Sequence, residues 1–254
     1  MQVSMMKEQV LVAQLGKCFP EHSFYNHHIS VLHKGRFANA IVYRYKDDRF
    51  DLVIKDFQHS PWIVRKTVAR LFVNQEYKAL DRLSGMSGVS NEFHRLSAIS
   101  IAYSFIEGTP LRTLNKQNKT LPKLFFNQLE HRVSEMHRRG LVHLDLRNLG
   151  NILVGEDGQP YFIDFQSAIT YSRFPNWLQR IMRGADLSGV YKAWSALCEH
   201  PMANYKKAFF IHYNQLRKRW IFRGYPIHRA YLWLCGLASQ LPGADLFRNM
   251  MEKL

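Results

Sequence analysis

Two aspartates and an asparagine stand close together in the second half of the chain. They lie in Leu141-Val142-His143-Leu144-Asp145-Leu146-Arg147-Asn148-Leu149-Gly150-Asn151-Ile152-Leu153-Val154 and in Tyr161-Phe162-Ile163-Asp164-Phe165. Phosphoryl transfer asks little covalent chemistry of a protein. It needs one carboxylate to orient the acceptor hydroxyl, and a second carboxylate with an amide oxygen to hold magnesium on the phosphates. Asp145, Asp164 and Asn151 supply that set. Asp145 follows an expected helix and precedes a buried strand, in a loop where a side chain can face a cleft.

The elements that must position these residues change character once, near Gly108. Before it, Ala40 to Tyr45 and Phe50 to Lys55 are β-rich runs joined by Lys46-Asp47-Asp48, a hairpin pattern. Ser60-Pro61 reads as an N-cap followed by proline at the first helical position, opening a helix to about Leu83. Ser97 to Ile106 reads as another strand. After Gly108, Thr120 is a candidate N-cap, with Leu121, Phe125, Leu129, Val133 and Met136 on one helix face, and Gly140 ends that helix. A second hairpin pairs Ile152–Val154 with Tyr161–Ile163. Helices are expected from Pro175 onward, including Asp186 to Glu199 and Tyr205 to Trp220. The fold class is α+β, a two-lobed plan in a single domain over 1–254, with a β-rich lobe over 1–108 and a mostly helical lobe over 109–254.

This order of parts resembles the protein-kinase-like fold, in particular its compact bacterial members, the lipopolysaccharide core kinases and the RIO-type kinases. The resemblance is strong over 140–168, moderate over 29–108 and weak beyond 190. It implies an ATP- and Mg2+-dependent phosphotransferase. His143 would be structural beside the catalytic residues, Asp145 the base or orienter of the acceptor hydroxyl, and Asp164 and Asn151 the metal ligands. Arg147 stands where kinases place a cation to offset charge on the phosphoryl group, and a surface ion pair is the plainer alternative. Lys55 at a strand end, paired with Glu76 in the following helix, would grip the α- and β-phosphates. Val53 and Leu153 would line the adenine slot. Glu107 falls in the hinge Ser104 to Gly108, whose backbone would meet the adenine edge. Asp186 is either the buried aspartate that braces the catalytic loop or an N-cap.

The chain departs from the family pattern in three places. Asn151 lies six residues after Asp145, where the kinase motif has five; Gly150 can absorb the extra residue, and Asn148 is the fallback ligand. Gln166 replaces a glycine, which makes a flipping activation segment less expected. The phosphate-covering turn, His33-Lys34-Gly35-Arg36-Phe37-Ala38-Asn39-Ala40, holds a single glycine, so few free N–H groups can approach phosphate; Lys34 and Arg36 are placed to compensate with charge around Gly35.

Composition bounds the rest. With 254 residues and 46% hydrophobic content the chain can bury a sizeable core. Three scattered cysteines, Cys18, Cys198 and Cys235, argue against a disulfide scaffold or a zinc site, and fit a reducing cytoplasm. No signal peptide is expected, and the longest apolar run, Ala230 to Leu241, is short of the roughly 20 residues of a membrane span. The formal charge of +15 asks for an anionic partner. Nucleic acid is disfavoured for want of a binding motif. The expected partners are a nucleotide and a glycolipid or protein acceptor. Lys206-Lys207-Ala208-Phe209-Phe210 with Arg217-Lys218-Arg219-Trp220 is the candidate contact with an anionic membrane, on a cytoplasmic or inner-face peripheral protein.

Overall fold

The structure, a computed structural model, describes residues 2–35 and 39–219. The chain opens with a helix, α1 (Gln2–Cys18), and then builds an antiparallel five-stranded sheet in the order β1-β2-β3-β5-β4. Its strands are β1 (Ile29–His33), β2 (Ile41–Lys46), β3 (Asp51–Asp56), β4 (Phe93–Ser97) and β5 (Ser100–Ser104). Alternation along β3 sends Leu52 and Ile54 to one face and Val53 and Lys55 to the other. The first face packs with Leu11 and Leu15 of α1, both fully buried, and with Phe24, Tyr43, Tyr45 and Ala102. The N-terminal segment is thus part of the sheet's core.

The β2–β3 hairpin is where its pattern places it, and Asp47 fixes the turn. Its carboxylate accepts the backbone N–H groups of Arg49 and Phe50, the Tyr45 hydroxyl at 2.6 Å, and a bond with His22 Nε2 at 2.7 Å.

Three expectations change after β3. The helix read as one element from Ser60 is two, α2 (Trp62–Lys66) and α3 (Val68–Arg82), and Pro61 rather than Ser60 takes the cap position. The break is at Thr67, whose hydroxyl bonds back to the Ile63 carbonyl at 2.7 Å, a contact that bends helices. The strand read as Ser97 to Ile106 is β5 alone, turned back on β4 at Ala98-Ile99. Thr120 does not cap: its hydroxyl bonds Glu199, and Pro122 precedes α5 (Lys123–Arg138).

Beyond the sheet come β6 (Gly108–Pro110), α4 (Leu111–Lys116), α5, β7 (Leu141–Val142), β8 (Ile152–Gly155), β9 (Pro160–Phe162), β10 (Ile169–Thr170), α6 (Asn176–Leu197) and α7 (Asn204–Arg219). β6, β8 and β9 form one small sheet, and β7 pairs with β10. Gly140 turns the chain out of α5 at φ 78°, a conformation costly for other residues. The helix expected to open at Asp186 begins ten residues earlier, at Asn176, behind Pro175. The architecture is the expected α+β plan, a β-rich N-terminal sheet followed by a helical part with a small hairpin. The chain falls into two compact units, Met1–Lys206 and Lys207–Leu254. In the described part of the second, Phe209 and Tyr213 stack at 5.8 Å. The helical expectation beyond Arg219, with Trp220 and Cys235, lies outside the described residues.

Candidate active site

A three-residue ionic cluster joins the sheet to the small hairpin. Lys55 Nζ, from β3, donates to Glu76 Oε1 of α3 at 2.7 Å and to Asp164 Oδ1, just past β9, also at 2.7 Å. Burial alone would lower the Lys55 ammonium, but the Asp164 and Glu76 carboxylates outweigh it and hold the group well above its usual range. Desolvation would raise Asp164; Lys55 reverses that and holds the carboxyl low. Glu76 is the strained partner, pushed up by burial beyond what Lys55 restores. A cavity of about 10 Å³, room for one water, lies against Glu76, Tyr103, Asp164 and Phe165. Val53 shares the Lys55 face of β3, and Leu153 is buried in β8 between Tyr161 and Pro110.

The second half of the site is the loop between β7 and β8. Asn151, only 4% exposed, donates its amide to Asp145 Oδ2 at 2.9 Å and to the Asp145 carbonyl at 3.2 Å. Its own carbonyl accepts the N–H of Ile163, the residue before Asp164, so the loop and the hairpin's end are laced together. Asn148 is used differently. Its Oδ1 caps the turn through the Gly150 N–H at 3.0 Å and accepts the Arg112 guanidinium from α4. That is how the extra residue is accommodated, and it leaves the Asn151 Oδ1 as the amide oxygen without a protein partner among the described residues.

Two residues here sit at positive φ without being glycine, Leu144 at 65° and Asp164 at 67°. Such conformations persist where the surroundings over-determine them, and Asp186 does so for the loop. It is fully buried inside α6, accepting the His143 N–H at 2.9 Å, the Leu144 N–H at 2.8 Å and a bond with His137 Nε2 at 3.0 Å. The brace, not the N-cap, is therefore its role. His143 is also fully buried. Its Nε2 bonds the Ile163 carbonyl at 3.1 Å and its ring packs 4.8 Å from Phe165, which makes it a positioning residue without access to an acceptor.

Arg147 rests on Ser188 of α6, 3.0 Å from the hydroxyl and 3.3 Å from the carbonyl. Lys192, one turn on, donates to the Arg147 carbonyl at 2.7 Å. Between them Gly189 lets the helix close on the loop, since a Cβ there would stand 2.7 Å from the Leu146 carbonyl carbon. Sequence reading passed over the roles of Ser188, Gly189 and Lys192; the signal was a glycine inside a helical run.

The remaining candidates are placed less centrally. The Glu107 side chain turns to Arg44 at 3.1 Å, so only its backbone is left for a hinge contact. Lys34 is exposed just past β1, and at Gly35 a Cβ would overlap the Asn39 and Ala40 carbonyl oxygens. Arg36 lies outside the described residues. Lys206 is not available to a headgroup: 9% exposed, it pairs with Glu130 and lies 4.7 Å from the Trp194 ring centroid.

Magnesium takes oxygen ligands and is commonly held by one or two carboxylates together with substrate phosphates rather than by a protein cage. The donors fit that habit. Asp164 Oδ2 and Asn151 Oδ1 are hard oxygens, and no group of three His, Cys, Asp or Glu forms a closed metal site among the described residues.

The sheet, the ionic cluster bridging it to a hairpin, and the braced loop define the protein-kinase-like fold. The RIO-domain family model matches residues 23–198, and the chain belongs to that family. Among solved structures it resembles the crystal structure of the Rio2 kinase–ADP/Mg2+–phosphoaspartate complex from Chaetomium thermophilum, at 15% identity and a TM-score of 0.56. The match covers 79% of this chain and 65% of that one, so the chain spans just under two thirds of that relative's length. No curated protein sequence matches it. Of the two groups in the sequence resemblance, the RIO-type is the one the family match supports.

Proposed function

We propose that this chain is an ATP- and Mg2+-dependent phosphotransferase of the RIO type, acting on a hydroxyl. The observation that carries the reading is the convergence of Lys55, Glu76 and Asp164 with the Asn151–Asp145 pair, two half-sites laced through Ile163. Lys55 exchanges one of its carboxylate partners for the α- and β-phosphates when nucleotide enters. Val53, Leu153 and the backbone at Glu107 receive the adenine, and Lys34 and Gly35 lie on the phosphate side. Asp164 and Asn151 hold Mg2+, which when bound offsets the charge on the phosphate oxygens. Asp145, fixed by the Asn151 amide, accepts the hydrogen bond of the acceptor hydroxyl and takes its proton as the hydroxyl attacks. Arg147, steadied by Ser188, offsets charge at the acceptor. The Rio2 complex named above, with its ADP and Mg2+, supports this choice of nucleotide and ion.

For the acceptor, we infer a sugar hydroxyl of a lipopolysaccharide core or related glycolipid, on the cytoplasmic face of a membrane. Only eleven residues, Phe165 to Pro175, separate Asp164 from α6, too few for a long peptide-docking segment. A RIO-like serine/threonine protein kinase is the second reading, favoured by the family match. Incubation with radiolabelled ATP tests the phosphotransferase reading: label transfer or hydrolysis that requires Mg2+ supports it, and nucleotide binding without turnover makes the chain a pseudokinase module. Comparing the masses of envelope glycolipids with and without the gene separates the acceptors.

A further inference from the structure

We propose that the N-terminal end of α6 is a docking face for an anionic lipid bilayer, placed to hold the acceptor's membrane against the catalytic loop. The proposal rests on the glycolipid reading for its purpose but not for its test. Between Asp164 and Asp186 the chain has no acidic residue and three arginines, Arg173, Arg180 and Arg183, all exposed around the start of the helix. Among them stand two aromatic rings that the fold leaves in solvent, Trp177 at 62% exposure and Phe174 at 38%.

Burying either ring in the protein would have been favourable, so their exposure beside three arginines that have no ion pair among the described residues calls for a partner that offers both apolar depth and anionic oxygen. An acidic bilayer does: aromatic rings settle at the headgroup level and arginines pair with lipid phosphates. The helix end adds to this. Pro175 occupies the cap position and no side chain caps the first turn, so the positive end of a 22-residue helix faces the same way. A nucleic acid would supply phosphate too, but it would use the rings as stacking platforms along a groove, whereas a ring as exposed as Trp177 on a helix end is shaped to enter a headgroup layer.

The inner side of the same turn is tied to the site. Leu178 and Met182 pack with Val142, Leu144, Ile169 and Tyr171, the residues that flank the catalytic loop. From Trp177 to Asp186 is nine residues of helix, about 14 Å at 1.5 Å each. A bilayer touching Trp177 would thus stand about 14 Å along the helix from Asp186, whose carboxylate braces the loop that carries Asp145.

The test is co-sedimentation of the full chain with vesicles, without nucleotide, comparing phosphatidylcholine alone with phosphatidylcholine containing phosphatidylglycerol. The acidic vesicles should recruit the protein and the neutral ones should not. R173E/R180E/R183E should weaken binding about a hundredfold, from roughly a fivefold contribution per basic residue near the surface, and F174S/W177S should weaken it separately. Thermal unfolding midpoints unchanged from the parent would show that both variants are folded; a variant that unfolds is replaced by R180E alone, for which a fivefold loss is expected. D145N should bind vesicles as the parent does. Vesicle binding unaltered by the arginine and aromatic variants overturns the proposal, as does single-stranded RNA binding in preference to acidic vesicles. Recruitment through this face without any label transfer would keep the docking face and remove the phosphotransferase reading; label transfer without recruitment would do the reverse.

Discussion

Asn151 holds the Asp145 carboxylate through its amide nitrogen at 2.9 Å, and its backbone carbonyl accepts the N–H of Ile163, the residue before Asp164, at 3.1 Å. One residue thus ties both half-sites together. Replacing Asp145 with Asn keeps the shape but removes the proposed proton acceptor. Phosphotransfer should fall by about 10²- to 10⁴-fold, the usual contribution of a general base, while the nucleotide-induced shift in unfolding temperature stays close to the parent's. Single-turnover assays and ATP titration of thermal stability measure the two quantities. Turnover within tenfold of the parent would take Asp145 out of the catalytic role.

The two asparagines of the loop should separate by metal dependence. Asn151→Ala removes the proposed metal oxygen and frees Asp145, so the Mg2+ concentration for half-maximal activity should rise at least tenfold. Asn148→Ala loses the turn cap, the Arg112 contact and a long amide contact to Asp145 Oδ2 at 3.5 Å, and should lower activity without moving the Mg2+ midpoint. A Mg2+ titration of both variants decides, and the reverse pattern would assign the ligand to Asn148.

How much of this was legible in the sequence differs from residue to residue. Asp145, Asp164, Lys55 and the β2–β3 hairpin are local text: a strand pattern, a turn, a carboxylate at a strand end. The choice between Asn148 and Asn151 was not, because Arg112 comes from 36 residues upstream and only the folded chain brings it to Asn148. The role of Asp186 stayed open for a similar reason. The donors its carboxylate accepts from are the N–H groups of His143 and Leu144, 43 and 42 residues away, and the N-cap alternative fell only when α6 began at Asn176. Within the cation–aromatic segment Lys206 was misjudged as surface, since no local pattern announces that Glu130 and Trp194 enclose it; Lys207 is exposed.

Asp186 should be costly to remove. Ala in its place leaves the N–H groups of His143 and Leu144 and the His137 ring without their acceptor in a fully buried site. Each stranded donor costs about 1–3 kcal/mol, so destabilisation of at least 3 kcal/mol is expected in denaturant unfolding. Leu144, no longer clamped at φ 65°, should also relax. Activity should therefore fall even at temperatures where the variant is folded, and a variant of parental activity would show that the loop holds its shape without the brace.

The ionic cluster predicts a reversal of pH dependence. In the parent, Asp164 has a folded pKa below its unfolded value, so its contribution to stability is present above about pH 4 and is lost as pH falls through the folded pKa. Lys55 has a folded pKa above its unfolded value, so its contribution is complete below about pH 10 and is lost as pH rises beyond. Between those limits the parent should be most stable, with Glu76, pushed up by burial, working slightly against it toward the alkaline side. Lys55→Met leaves two buried carboxylates facing each other with no cation. Both folded pKa values then rise above the unfolded ones, and stability should increase as pH falls from 8 to 5 and the carboxylates take up protons. At pH 8 the variant should lose about 3–5 kcal/mol, the cost of breaking a buried pair by removing one partner. Adding Glu76→Gln to Lys55→Met should recover part of that loss and flatten the slope. Thermal unfolding at pH 5 and pH 8 for the parent, the single and the double variant measures this. A single variant whose stability falls with acid, like the parent's, would mean that Lys55 does not neutralise Asp164 and Glu76 in the folded protein.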